Sequence, residues 1–205
     1  MTALPVPVQG STVAVVPPQG SPGRPVGWWG MLVLIATEAV LFLGLLSSYF
    51  FLRAQAREWP LGGIKPPELT RISIFTVVLL ASSVPLFWGE HAIARGRMRQ
   101  LRVALLLSFV LGLAFIVNQG VEYRDLTFGW RDNAYASAFY VITGLHGLHV
   151  VVGLLMNLVV QLKAWKNRLS AERHLTVKLF SLYWHFVDVV WIFVFSSLYL
   201  SAHLR

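Results

Sequence analysis

The sequence predicts an all-α integral membrane protein, a bundle of five transmembrane helices, from three observations. Hydrophobic residues make up 56% of the 205 residues, and charged residues make up 13%, about half the share found in soluble proteins. Five apolar runs are long enough for a membrane-spanning helix, which needs about 20 residues. Each run is apolar on nearly every face, unlike a helix at the surface of a soluble protein. A soluble globular protein is therefore excluded.

The N-terminal residues 1–26 differ in composition from the rest of the chain. They hold six of the ten prolines, with Gly, Ser, Gln and Thr between them. We therefore expect a disordered cytoplasmic tail. Its first basic residue is Arg24 and prolines interrupt its apolar residues, a pattern that is not typical of a cleaved signal peptide. The first helix is expected to insert and to stay in the membrane.

The five helices are predicted within one transmembrane domain, residues 27–205. They cover approximately residues 28–52, 71–94, 102–122, 137–162 and 176–202. Prolines and glycines between residues 60 and 67 interrupt the first connection, and the other connections are also short. These connections leave no room for a second folded domain.

The distribution of basic residues predicts the orientation of the bundle. Five crossings place the tail, the 2–3 loop and the 4–5 loop on one side, with ten of the seventeen Lys and Arg residues. The seven on the other side are diluted by acidic residues. The positive-inside rule therefore predicts a cytoplasmic N-terminus and an outer C-terminus. The net charge of +8 then fits an anionic inner leaflet, so we expect no nucleic-acid partner.

Ionisable residues inside the predicted helices are the candidate functional residues, because each costs about 2.5 to 3.5 kcal/mol to insert. We call five of them the polar seam: Glu38, His146, His149, His185 and Asp188. At a rise of about 1.5 Å per residue, Glu38, His149 and Asp188 lie near the membrane midplane. Because helices 4 and 5 are antiparallel neighbours, a contact between His149 and Asp188 is geometrically allowed.

Three interpretations of the polar seam follow from residue types and spacing. The residues could hydrogen-bond between helices as structural glue, carry protons or ions, or hold a metal or a haem iron. The chain has no cysteine, which excludes thiolate-bound metal and haem, iron–sulfur clusters and cysteine nucleophiles. Glu90 and His91, beside Arg95 and Arg97, and Glu122, at the outer end of helix 3, are interpreted as interfacial residues.

Two segments carry a specific resemblance when they are taken together. The stretches TGLHGLHVVVGLL (143–155) and YWHFVDVVWIFVFSSLYL (183–200) closely resemble subunit III of the haem–copper oxidases. Further matches follow in the right order: Glu38 within ATEAVLFLGLLSSYFF, then TVVLLASSVPLFWGEHAI (76–93), then NQGVEY (118–123). The resemblance covers nearly the whole chain from Trp28 onward.

The resemblance implies a non-redox subunit of a proton-pumping oxygen reductase. Such a subunit binds no haem or copper and packs beside catalytic subunit I, so haem and copper are expected in partner subunits. It supports assembly, proton uptake and turnover stability of the catalytic subunit. Glu38 matches a buried carboxyl that faces a lipid-lined region in the family. No catalytic, cofactor-binding or metal-binding residue is therefore expected in this chain.

The chain resembles the short five-helix form, which lacks the first two helices of the seven-helix form. The resemblance therefore implies subunits I and II as partners, a small subunit IV in place of those two helices, and room for structural phospholipid. Glu38 and the YWHFVDVVW stretch favour an aa3-type cytochrome c oxidase of a bacterial cytoplasmic membrane. The alternatives are subunit III of a quinol oxidase, an accessory protein of a nitric oxide reductase and, from other classes, an independent proton or ion transporter or an intramembrane metalloenzyme.

Overall fold

The computed structural model describes residues 25–203, which contain five helices that are long and apolar enough to cross a membrane. They are α1 (Val26–Gln55), α2 (Leu69–Ala94), α3 (Met98–Asp125), α4 (Ala134–Trp165) and α5 (Leu175–His203). The predicted all-α, five-helix fold class is thereby confirmed. Almost all of the predicted tail lies outside the described residues, and the orientation of the termini stays a prediction.

Two of the five helices contain local irregularities. In α2, the segments Leu69–Ala81 and Ser83–Ala94 meet at Ser82, whose N–H still bonds to carbonyls of the preceding turn. In α5, the α-helix Leu175–Val194 continues through a π-helical turn at Phe195–Leu200. Single π-helical turns within α-helices occur frequently at functional sites.

Helix α5 lies against most of the bundle. It contacts α1, α2 and α4, while α3 contacts α2 and α4, and α1 packs against α4 and α5. Helices α1, α3 and α5 finish at the same end of the bundle, which we call the C-terminal end. The opposite end is called the N-terminal end. This arrangement makes α5 central and α1 peripheral.

A tryptophan packed on two glycines fixes the position of α5. The indole of Trp184 is completely buried and donates a hydrogen bond to Ser82 Oγ at 2.8 Å. A Cβ atom at Gly112 of α3 would lie 2.7 Å from the indole, and one at Gly153 of α4 would lie 2.6 Å from it. Real Cβ atoms do not approach so closely, so both positions require glycine. Small residues at helix contacts in membranes allow this close packing.

Arginines connect helices at both ends of the bundle. At the C-terminal end, Arg53 of α1 donates to the hydroxyl of Ser201 at 2.6 Å and to its carbonyl at 3.1 Å. At the N-terminal end, Arg102 of α3 donates to the carbonyl of Ala164 at 2.9 Å and to Asn167 Oδ1 at 2.8 Å. Both arginines bond carbonyls in the last turn of a helix, where carbonyls have no partner within the helix.

Candidate functional site

The first part of the candidate site is a pair formed by Glu38 of α1 and His149 of α4. Glu38 Oε2 lies 3.1 Å from His149 Nε2. The other ring nitrogen, Nδ1, lies 2.7 Å from the carbonyl oxygen of Leu145 and must be its donor, because a carbonyl only accepts. The remaining hydrogen bond therefore contains one proton, held either by Nε2 or by the carboxyl group. The pair can hold a proton in the middle of the membrane span.

The Glu38–His149 pair lies at an open face of the bundle. The Glu38 side chain is 28% exposed and the His149 side chain 12% exposed. The ring of Phe42 packs edge-on against His149 with centroids 5.1 Å apart, and Tyr183 donates to the His149 carbonyl at 3.1 Å. The Phe42 ring packs on the imidazole and the Tyr183 bond holds the backbone of α4 at His149, while Glu38 remains accessible to groups outside the bundle.

The second part of the candidate site joins α2 and α5. Ser83 Oγ donates a short hydrogen bond to Asp188 Oδ2 and lies 3.1 Å from His185 Nδ1. The geometrically allowed contact between His149 and Asp188 does not form: His149 bonds to Glu38 and Asp188 to Ser83. The polar faces of α4 and α5 are turned toward different neighbours, α1 and α2. Sequence reasoning missed Ser83, whose only signal was a hydroxyl at a similar depth in helix 2.

His146 takes part in neither the Glu38–His149 pair nor the group formed by Ser83, His185 and Asp188. It is completely buried, and neither ring nitrogen meets a hydrogen-bond partner among residues 25–203. Its ring packs against Trp191 with centroids 4.7 Å apart, and Phe42 and Phe115 approach it edge-on. The polar seam is therefore three separate places rather than one continuous row.

The residues interpreted as interfacial have different surroundings. His91 is exposed and its Nδ1 lies 2.9 Å from the Phe87 carbonyl oxygen. No ion pair joins Glu90 or His91 to Arg95 or Arg97 in the described part of the chain. Glu122 lies near the C-terminal end of α3, but its side chain is buried in the bundle.

The geometry offers little support for a metal site. Within residues 25–203, no group of three or more His, Asp or Glu side chains comes close enough to hold a metal ion. The polar residues instead form two hydrogen-bonded groups, each joining two helices. One is Glu38 with His149, and the other is Asp188 with Ser83 and His185. Such groups can stabilise helix packing and, for Glu38 and His149, hold a proton.

Comparison with known proteins gives one consistent result. The family model described as cytochrome c oxidase subunit III matches residues 26–203. Cytochrome c oxidase subunit 3 of Thermostichus vulcanus is 37% identical over 180 residues, which cover 83% of this chain and 85% of that protein. The proteins of the same name from Gadus morhua and Coturnix japonica are 38% and 35% identical, over 83% of this chain and 68% of each relative. The matched region includes all five helices.

Proposed function

Because the chain belongs to the cytochrome c oxidase subunit III family, we propose that it is the non-redox subunit III of an aa3-type cytochrome c oxidase in a bacterial cytoplasmic membrane. Family membership implies that the chain is part of the oxidase complex with subunit I. The haem and copper chemistry would then take place in partner subunits. This chain would support assembly, proton uptake and the turnover stability of the catalytic subunit, within aerobic electron transport.

The Glu38–His149 pair is the observation that carries the proton-related part of this proposal. It places a carboxyl and an imidazole that share one proton near the middle of the span, on a face that a neighbouring subunit or lipid can reach. Inserting such a group into hydrocarbon is costly, so a carboxyl at this position needs a function or a partner that compensates. His149 supplies one partner, and the exposed side of Glu38 is free to face the catalytic subunit.

The surface of α1 supports a role in assembly. Its most apolar stretch is only 6% buried within the chain. Large side chains such as Val40, Leu43 and Phe51 are exposed along it. In the complex, this surface would be covered by subunit I, by lipid and by a small subunit IV in the position of the two helices that the short form lacks. Subunit II would complete the complex.

An apolar groove near the N-terminal end supports a structural phospholipid. The groove has a volume of about 330 Å³ and lies between α1, α4 and α5, lined by residues such as Met31, Leu155 and Leu179. Lys163 Nζ lies 3.4 Å from Thr176, another lining residue. An acyl chain in the groove would bring an anionic headgroup to this lysine at the membrane surface.

Purification through a tag on this chain tests the proposal. After mild-detergent extraction we expect a reduced-minus-oxidised spectrum with a haem a band, and oxygen uptake driven by reduced cytochrome c. Uptake with quinol alone would assign the complex to the quinol oxidases. Nitric oxide reduction by the co-purified complex would assign the chain to that enzyme. A haem-free preparation that transports protons in liposomes would overturn the proposal in favour of an independent transporter.

A further inference from the structure

A group of buried polar side chains lies near the C-terminal end of the bundle, away from the polar seam. We call it the Glu122 cluster: Asn118, Gln119, Glu122, Tyr135 and Tyr199, from α3, α4 and α5. Both amide atoms of Gln119, Glu122 Oε2 and the hydroxyls of Tyr135 and Tyr199 are buried without a hydrogen-bond partner among residues 25–203. The amide nitrogen of Asn118 is in the same situation.

These side chains face one another. The Tyr199 hydroxyl lies within hydrogen-bonding reach of the Glu122 carboxyl and the Gln119 amide, although neither contact has good hydrogen-bond geometry. Tyr135 also lies close enough to interact electrostatically with Glu122. Even with these contacts, the Tyr135 hydroxyl and the Asn118 amide nitrogen have no partner among the described residues, and a buried polar group left unpaired costs about 1 to 3 kcal/mol. The cluster therefore needs further hydrogen-bond partners. The number and closeness of its polar groups distinguish this cluster from the isolated His146.

A pocket connects the Glu122 cluster to the end of the bundle. It has a volume of about 170 Å³ and is lined by Glu122 together with Glu68, Arg71 and Asp125. Arg71 donates to Asp125 Oδ2 at 2.7 Å and to Asn118 Oδ1 at 2.8 Å, so the ion pair adjoins the cluster. A site for one water molecule needs about 10 to 15 Å³ and two to four polar partners. The pocket is large enough for water, and Glu122, Arg71 and Asp125 in its lining supply polar partners.

We propose that the Glu122 cluster is an internal water-binding site that fills through the pocket beside the Arg71–Asp125 ion pair. Ordered water molecules bridge Glu122, Gln119, Tyr199 and Tyr135. The Glu122 carboxyl then exchanges its proton with the aqueous phase at the C-terminal end of the bundle, although its side chain is buried. The site is separate from the Glu38–His149 pair and does not depend on the role proposed for that pair.

Cysteine accessibility in the assembled complex tests the proposal, because the natural chain has no cysteine. The variants are Glu122→Cys, which lines the pocket, and Gln119→Cys, one turn deeper in the cluster. Their controls on the same helix are Val121→Cys and Val117→Cys, whose side chains lie on the exposed apolar face. The probe is a charged, water-soluble methanethiosulfonate, and its attachment to this chain is followed by mass spectrometry.

We expect Glu122→Cys and Gln119→Cys to react at least tenfold faster than their controls, because a charged reagent needs water around the thiol. Equal rates for each pair would overturn the proposal. High-resolution cryo-electron microscopy of the unmodified complex decides independently, even if a variant fails to assemble. We expect density for water within hydrogen-bonding distance of Glu122 and Tyr199. Direct hydrogen bonds among the cluster side chains that leave no room for water would overturn the proposal.

Discussion

Helices α1 and α5 have similar lengths and are both apolar, but they are held in the bundle in different ways. Half of the most apolar stretch of α5 is buried, compared with 6% of that of α1. Trp184 and Trp191 anchor α5 by packing and by hydrogen bonds to Ser82 and Thr76 of α2. Helix α1 buries three side chains against the bundle, those of Phe42, Leu46 and Tyr49, and polar contacts of Glu38 and Arg53 add to this packing.

This difference separates the structural role of α5 from the role of α1 as a surface. In a bilayer, apolar side chains gain little by leaving lipid for protein, so close packing and hydrogen bonds decide which helices associate. Helix α5 uses both to organise the bundle. Helix α1 leaves most of its apolar surface to other molecules, which is the property expected of a helix that faces lipid and partner subunits.

The largest effect is expected at the packing of α5. Gly153→Ala would place a Cβ atom 2.6 Å from the Trp184 indole. Overpacking of this kind costs about 1 to 3 kcal/mol, since side chains or helices must move apart. We expect a lower thermal unfolding temperature of the complex and less of this chain retained on purification.

Gly147→Ala on the same helix is the matched control, because the nearest atom, Ile116 Cδ1, would lie at 3.9 Å. Its new Cβ atom would make an ordinary van der Waals contact. If both alanine variants lower the unfolding temperature equally, the position of α5 does not depend on the Trp184 contact.

An intermediate effect is expected where α2 meets α5. Ser83→Ala removes the hydroxyl that bonds to Asp188 and leaves a buried carboxyl without that donor. Interhelical hydrogen bonds in membranes contribute about 0.6 kcal/mol on average, and up to about 1.7 kcal/mol. We expect a destabilisation in this range by thermal unfolding. Ser73→Ala, whose hydroxyl bonds within its own helix to Leu69, should change stability less; the opposite order would contradict the role of Ser83.

A smaller and more local effect is expected at the C-terminal end of α1. Arg53→Leu removes both hydrogen bonds to Ser201. Because the contact joins only the last turns of the two helices, its loss should mainly increase local opening rather than lower the stability of the whole bundle. Faster amide hydrogen exchange is expected in the last turns of α1, with little change in α5. The control is Arg57→Leu, at an exposed arginine. Equal hydrogen exchange in the two variants would contradict the proposed role of the Arg53–Ser201 contact in holding the end of α1.

The sequence was sufficient to predict the fold because the thickness of the bilayer sets the length of each apolar run. The predicted helices agree with the observed ones to within four residues. The observed helices are longer at most ends, since an apolar run marks the part in hydrocarbon while backbone hydrogen bonds continue beyond it. The resemblance to subunit III is confirmed by the family match over residues 26–203.

The partners of the polar residues were harder to predict from the sequence. Depth placed Glu38, His149 and Asp188 at one level, but rotation of each helix decides which side chains meet. That rotation depends on long-range packing, such as Trp184 against its two glycines. The burial of Glu122 likewise depends on a bundle interior to which Tyr199 of α5 contributes, and no local pattern in helix 3 reveals it.

The smallest effect on stability is expected at the exposed side of α1. Glu38→Gln keeps the size of the side chain and can still hydrogen-bond to His149, but it cannot release or take up a proton. We expect normal assembly and an unfolding free energy within about 0.5 kcal/mol of the natural complex. If the pair serves proton uptake, oxygen reduction should slow or activity should decay faster during turnover. Thr37→Val, which loses a hydroxyl bonded to Leu34 within α1, is the control and should leave both unchanged. Failure of Glu38→Gln to assemble would instead show that α1 depends on this carboxyl for its position, as α5 depends on Trp184.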